Sequence, residues 1–322
     1  MTAKRIIRID ASSLKNSSCG RRFYLDVVEG YAQGRNKHNL LYGTAFHACP
    51  ETYALTHGDE AAASEAAQKK WARGMDSGEY MIGDKFKFLN EGHLALSCMK
   101  FFKAVKTDRI FTDNDILVVE GKVLVEQKFS IPLFSNPEID ILLQGTIDSI
   151  VQIKNGCVSI GDWKTTCSSK TPEEFFREYK LSVQLRTYLY ALRKLREMYS
   201  DSAFAKAVQG KIGAFIWGGF MSAGQTIDFY RSEVFQFSME DMEDYEKMLM
   251  GTVTDLLETV VQNRLPQAEG IINGSCTYCK YTSVCGATVG MSGDRESIIR
   301  HMLNTHFIRK EYKPLEFGGV GE

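Results

Sequence analysis

The chain has 322 residues, 44% apolar and 25% charged, with a formal net charge of -1, the usage of a soluble globular protein long enough for one large core or two smaller ones. A balance this near neutral argues against a protein that coats nucleic acid over its whole surface, and leaves room for a local basic groove. No apolar run approaches the roughly 18 residues of a membrane span, and the start, MTAKRIIRIDASS, lacks the apolar stretch of a secretory signal, so a cytoplasmic place and no membrane partner are expected.

In chain order, SSLKNSSCGRRFYLDVV reads as a loop entering a helix, with polar cap candidates before a basic and aromatic run. GTAFHACPETYAL predicts a helix, in which Pro50 demands a kink. From about Glu60 to Val105 the chain is Ala-rich and helical. ILVVEGKVLVEQKFSIPLF and IDILLQGTIDSIVQIKNGCVSIGDWKTT then show β-branched alternation broken by Gly and Asn-Gly, and predict a run of strands. EEFFREYKLSVQLRTYLYALRKLREMY predicts one long amphipathic helix, KIGAFIWGGFMSAGQTIDFYRSEVFQF two or three more strands, and DMEDYEKMLMGTVTDLLETVVQNR another helix. A cysteine cluster and a basic tail, RESIIRHMLNTHFIRKEYK, close the chain. There is no internal repeat and no G-x-x-x-x-G-K-[ST] loop, so a motor of that type is not written here.

The hairpin in GTIDSIVQIKNGCVSIGDWKTT is the most informative segment. If Lys154, Asn155 and Gly156 form a three-residue loop with Gly in the left-handed position, Ile153 faces Cys157, and counting outward sets Asp148 opposite Asp162. Directly opposed residues have Cβ atoms about 4.5 to 5.5 Å apart, close enough for two carboxylates to share one hard cation and costly otherwise. Lys164 falls on the same face as Asp162. A two-residue loop at Asn155-Gly156 would instead oppose Asp148 to Trp163 and turn the acids to opposite faces. The flanks Ile147, Ile150, Val151, Ile160 and Trp163 are apolar on both faces, and charge inside such a strand needs a partner or a metal.

These residues resemble the PD-(D/E)XK nuclease superfamily, in its RecB-like branch: G-x-x-D as GTID, D-x-K as DWK, Q-x-x-x-Y as QLRTY, and an upstream G-x-x-x-H as GTAFH, in the family's order from about Ser13 to Cys285. The resemblance implies an α/β, restriction-endonuclease-like mixed central sheet flanked by helices. It implies that His47, Asp148, Asp162 and the carbonyl of Trp163 bind Mg2+ or Mn2+, that Lys164 positions or activates water, and that Gln184 and Tyr188 support the site and contact DNA. Gln184 and Tyr188 share a helix face at i and i+4, as a buried amide and aromatic of an amphipathic helix would too. His47 alone would read as a hydrogen-bonded core histidine, and the company of Asp148 and Asp162 reverses that. Glu51 stands where the family often has an acid, and Glu120 is a second candidate to complete the metal shell. Arg21, Arg22, Phe23, Tyr24, Arg177 and Arg186 are candidates to bind a strand by charge and stacking.

Cys276, Cys279 and Cys285 follow C-x2-C-x5-C. Packing accounts for Cys49, Cys98, Cys157 and Cys167, whereas Cys19 sits in a polar, irregular segment and is the expected fourth ligand. Four thiolates suit a 4Fe-4S cluster or a structural zinc, and the triplet alone does not choose. A lone N-terminal cysteine with this triplet resembles the iron-sulfur RecB-like nucleases, the CRISPR-adaptation exonucleases and the AddB nuclease domain. That implies a 4Fe-4S staple joining N- and C-terminal segments. The expected organisation is an N-terminal segment to residue 48, a helical insertion over 49–110, a nuclease core over 111–265, the cysteine segment over 266–290 and the tail over 291–322. The expected function is a metal-dependent DNA nuclease, an exonuclease on single-stranded or frayed ends, with protein partners in CRISPR adaptation or phage recombination. The reading from another class is a nuclease-like DNA-binding or assembly subunit with incidental or lost catalysis, against which the intact His47, Asp148, Asp162 and Lys164 stand.

Overall fold

A computed structural model describes residues 4–33, 36–81, 86–108, 116–153, 156–167, 169–221, 227–262, 265–266, 268, 276–277, 279–289 and 291–310. The fold is mixed α/β, a central mixed sheet flanked by helices. Its strands are β1 (Arg5–Ile9), β2 (Val125–Ser135), β3 (Ile139–Gln152), β4 (Val158–Thr166), β5 (Ile212–Met221), β6 (Ile227–Arg231) and β7 (Phe235–Gln236). The helices used below are α1 (Gly20–Val27), α2 (His38–Leu55), α3 (Glu60–Asp76), α4 (Glu91–Thr107), α5 (Pro172–Lys180), α6 (Val183–Met198), α7 (Met239–Gln262), α8 (Thr282–Gly286) and α9 (Arg295–His306). The chain divides into two compact units, one of Met1–Gly34, Ser130–Gly145 and Met239–Phe317, the other of Arg35–Phe129 and Thr146–Ser238.

In the first unit β1 runs parallel to β3, Arg5 opposite Ile139 and Ile9 opposite Leu143. The alternation in RIIRI that makes this strand is short, and the sequence reading passes over it. The unit's core joins Tyr24 and Leu25 of α1 to Tyr31, Tyr281, Val284 of α8, and Ile299 and Leu303 of α9, so part of the basic tail is a helix with a buried apolar stripe.

In the second unit β3 pairs antiparallel with β4, β4 parallel with β5, and β5 antiparallel with β6 and β7. β5 is apolar along nearly its whole length because both of its faces are covered. Ser149 lies opposite Gly161 and Gln152 opposite Val158, the register of a three-residue loop. The Ile153 amide donates to the Cys157 carbonyl at 2.8 Å and Gly156 takes φ +80°, the left-handed conformation glycine accepts without strain. Lys154 and Asn155 lie outside the described residues.

Helices α2, α3 and α4 build one core against the sheet from Leu41, Tyr42, Phe46, Ala63, Ala67, Trp71, Leu94, Cys98 and Phe101, with Trp163, Phe215 and Trp217 across from them. Phe101 meets Trp163 edge-on at 5.2 Å, the geometry that aromatic quadrupoles favour. Helix α2 continues through Pro50 to Leu55, although the imino nitrogen has no hydrogen to donate. The expected single helix over 173–199 is two. α5 starts on a Thr171/Glu174 capping box with Pro172 at its first turn, and stops at Lys180; Ser182 then caps α6 by accepting the Leu185 amide at 3.2 Å. A serine in that position competes with helix continuation, so the amphipathic period spans a break.

Candidate functional site

Asp148 of β3 and Asp162 of β4 come next after the last paired residues, Ser149 and Gly161, so the register carried one residue on sets them opposite each other, and their carboxyl groups act on one another. Asp162 and Lys164 alternate with Trp163 along β4, so the acid and the amine share one face while Trp163 packs into the core on the other. Asp162 is 1% exposed and Asp148 8%. The Trp163 amide donates to Asp148 Oδ2 at 2.8 Å, and Lys164 Nζ lies 2.7 Å from Asp162 Oδ2 and donates to the Trp163 carbonyl at 3.3 Å. From the first turn of α6, Gln184 Nε2 donates to Asp162 Oδ1 at 3.1 Å and to Tyr188 Oη at 2.9 Å. The break before Ser182 is thus what starts a new helix where Gln184 can reach the acid.

Helix α2 brings His47, with Nδ1 3.6 Å from Asp148 Oδ2. A further acid completes the group: one ligand atom each from His47, Glu126 and Asp148 falls within 4.8 Å of the others. Sequence reasoning missed Glu126 and left Glu51 and Glu120 as candidates for the metal shell, of which Glu120 sits exposed at a turn with φ +50°. The signal was present, since Glu126 lies among Leu124, Val125 and Phe129 as Asp148 lies among isoleucines. Its backbone takes φ +47°, a left-handed conformation that costs a non-glycine residue of order 1 kcal/mol or more and recurs at functional sites. Glu51 lines the same cleft as His47 and Glu126.

Electrostatics set the protonation states. Burial, with Asp148, Glu51 and Asp162 adding to it, pushes Glu126 up to about 8. Burial raises Asp162 to about 6 against the pull of Lys164, and raises Asp148. Burial would discharge Lys164, yet Asp162 and Asp148 outweigh it and hold the amine above its ordinary value as an ammonium. Burial first and Lys164 second bring His47 down to about 4, so at neutral pH its imidazole is uncharged and has a lone pair to offer. Burial also raises Tyr188.

The donor set suits a hard divalent cation: several carboxylates, one neutral imidazole and a backbone carbonyl, with too few fixed cations to balance the acids. Asp162 Oδ2 is buried and, beside the Lys164 ammonium at 2.7 Å, has no further polar partner among the described residues. That leaves a lone pair for a ligand at the centre of the group.

The cysteines meet in the first unit. Cys19 is buried and precedes the first residue of α1, Cys285 lies in α8, and the Cys279 amide donates to the Cys276 carbonyl at 3.1 Å. Burial pushes the Cys276 thiol up, and the nearby sulfurs of Cys279, Cys19 and Cys285 push it the same way. Arg21 Nη1 lies 3.6 Å from Cys285 Sγ, and its Nε donates to the Pro266 carbonyl at 2.8 Å. Asp26 ties the segments together, accepting from Tyr281 Oη at 2.8 Å and pairing with Lys280 at 2.7 Å. Four sulfurs drawn from both ends of the chain, with an arginine beside them, fit a thiolate-bound cation or cluster.

The strand-binding candidates divide. Phe23 and Tyr24 are 4% and 2% exposed, core residues that cannot stack on a base, because the aromatic stripe of α1 faces inward. Arg21 serves the cysteines and Arg22 lies 3.9 Å from Asp26. Arg177 is exposed on α5, and Arg186 lies over the Phe237 ring at 6.0 Å.

A mixed α/β fold whose sheet brings together two opposed buried acids and a lysine, with a histidine from a helix beside them, defines a protein equipped to hold a divalent metal. The family model described as the PD-(D/E)XK nuclease superfamily matches residues 12–286, and the chain belongs to that superfamily. Membership implies nuclease chemistry in general; proteins of the superfamily use divalent metals, and DNA is the class of substrate the superfamily implies. No curated protein matches the chain. The solved structure titled "Crystal structure of SSO0001" is 14% identical over 85% of this chain and 94% of that one, at a TM-score of 0.28, a likeness too slight to bear on fold or function. Among the described residues no helix is long and apolar enough to cross a membrane.

Proposed function

We propose that the protein is a Mg2+- or Mn2+-dependent exonuclease acting on single-stranded or frayed DNA ends, with a structural 4Fe-4S cluster on Cys19, Cys276, Cys279 and Cys285. The observation that carries the catalytic half is the opposition of Asp148 and Asp162 with Lys164 paired to Asp162 and His47 alongside. His47, Glu126, Asp148 and Asp162, with the Trp163 carbonyl, are the residues to hold the metal. The cation supplies Lewis acidity, lowering the pKa of water and offsetting charge that develops on phosphorus. Lys164, kept as an ammonium, stabilises that developing charge and orients water; in that state it cannot take a proton. The Trp163 amide fixes Asp148, and Gln184, braced by Tyr188, fixes Asp162. The cluster staples the segment around Cys19 to that around Cys285 within one unit, contributing folding free energy and no chemistry.

The test is a Mn2+ time course on end-labelled single-stranded and blunt duplex DNA, with iron and zinc measured in anaerobically purified protein. Stepwise shortening from ends, faster on single strands, and iron without zinc are expected. Internal cuts in closed circular DNA would overturn the exonuclease reading, and stoichiometric zinc in colourless protein would overturn the cluster.

A further inference from the structure

A cleft of about 510 Å3 opens in the second unit between α2 and α3. One wall carries His47, Glu51 and Glu126, and the other carries Lys69, Lys70 and Arg73 of α3. One wall is therefore basic, and the other carries carboxyl groups and an imidazole that belong to the candidate metal group. The basic residues fall together for a reason of period. Ala63, Ala67 and Trp71, one turn apart, bury the core stripe of α3, which leaves Lys69, Lys70 and Arg73 grouped on its flank. Lys69 pairs with Glu65 of its own helix at 2.6 Å. Among the described residues Lys70 and Arg73 have no ion-pair partner, and the charge of Lys70 reaches Glu51 across the cleft. Exposed lysines ordinarily face open water; these border a concavity that ends at the acids.

Such a pair of walls matches a phosphodiester chain, whose oxygens need cations where they are not held by metal. The volume is that of a small-ligand site, room for nucleotide units of one strand. We propose that Lys70 and Arg73, one helical turn apart, bind phosphates of a single nucleic-acid strand and deliver it to the His47–Glu126–Asp148 group. On this view the helical segment after His47 is the wall that positions substrate. The inference rests on the nuclease reading for its substrate, but its test is separate.

The measurement is equilibrium binding of a labelled single-stranded oligonucleotide in chelator over a range of salt. Wild type is compared with Lys70→Ala/Arg73→Ala and with the charge-matched Lys100→Ala/Lys103→Ala on the exposed side of α4. Removing one cation that neutralises a phosphate lowers the slope of log K against log salt by about 0.7 for single strands. The cleft pair is expected to lower it by about 1.4 and weaken binding about tenfold, the α4 pair to leave both unchanged, and Lys70→Arg to retain the wild-type slope. With Mn2+ present, KM should rise while kcat holds. Oligonucleotides with and without a 5′ phosphate separate a terminal from an internal phosphate: a preference for the phosphate that disappears in the cleft variant assigns the terminal one, and no preference assigns internal ones. Wild-type slope and affinity in the cleft variant, or an equal loss in the α4 variant, would overturn the proposal. Absence of cleavage by wild type would instead overturn the nuclease reading, and leave the slope comparison to decide this one.

Discussion

Asp162 is the residue on which the site turns, because burial, an opposed acid, an ammonium and an amide all act on one carboxylate. Its pairing with Asp148 was legible in the sequence, since a glycine at the left-handed position of a hairpin fixes the register and counting does the rest. Glu126 was legible only in part: its apolar neighbours mark it as an acid inside a strand, but nothing in the strand's alternation states that it will approach another element, and its left-handed backbone cannot be read from VLVEQKF. Its electrostatics give a test. In chelator the folded protein holds a proton on Glu126 up to about pH 8, whereas the unfolded chain releases it near 4 to 5. The folded state thus binds more protons through that window, and stability falls as pH rises. His47, depressed to about 4, acts the opposite way, but only below about 6.5. Between pH 6.5 and 8 urea unfolding in chelator should show stability declining by at most about 1.4 kcal/mol per pH unit, one proton's worth. Glu126→Gln should flatten that decline; an unchanged slope in the variant would remove Glu126 from the group. Lys164→Ala should abolish turnover and leave metal affinity in place, because an ammonium is not a ligand, and loss of both by calorimetry would contradict its assigned part.

At the scale of elements, the strands and most helices were legible from their periods, and two of the departures have plain local causes. Five residues of β1 offer too short an alternation to distinguish from a polar start. The break between α5 and α6 hides inside one amphipathic pattern, betrayed only by Ser182. Ser182→Ala should cost about 1 kcal/mol of stability by loss of the cap. It should also cut cleavage, since Gln184 reaches Asp162 from the turn that Ser182 begins; Gln184→Ala should reproduce the second effect without the first. Gly161 is the tightest point of β4: a Cβ there would lie 2.5 Å from Ser149 Oγ and 2.8 Å from the Phe215 ring. Gly161→Ala should therefore destabilise by about 1–3 kcal/mol in chemical denaturation, as overpacking does, and a neutral result would mean that the sheet yields at that point.

Across the whole molecule each compact unit contains one of the two constellations read from the sequence, the acids with the helices that follow His47 and the thiols with α1, α8 and α9. The cysteine set was legible by elimination, because only Cys19 among the distant thiols lay in polar, irregular chain. Which group the thiols hold was not, since spacing states ligands and leaves the ion open. Cys19→Ser should bleach anaerobically prepared protein and lower its melting temperature, because a metal tie between distant segments is folding free energy; retained iron would pass the ligand role to another cysteine. The central claim, that the opposed acids form the centre that hydrolyses DNA, is tested most directly by cleavage and binding of one labelled single strand by wild type, Asp148→Ala and Asp162→Ala in Mn2+. Loss of cleavage by about a hundredfold or more in each variant, with binding kept or strengthened as acid–phosphate repulsion is relieved, is the predicted result. Cleavage at the wild-type rate in both variants, in preparations free of contaminating nuclease, would contradict it.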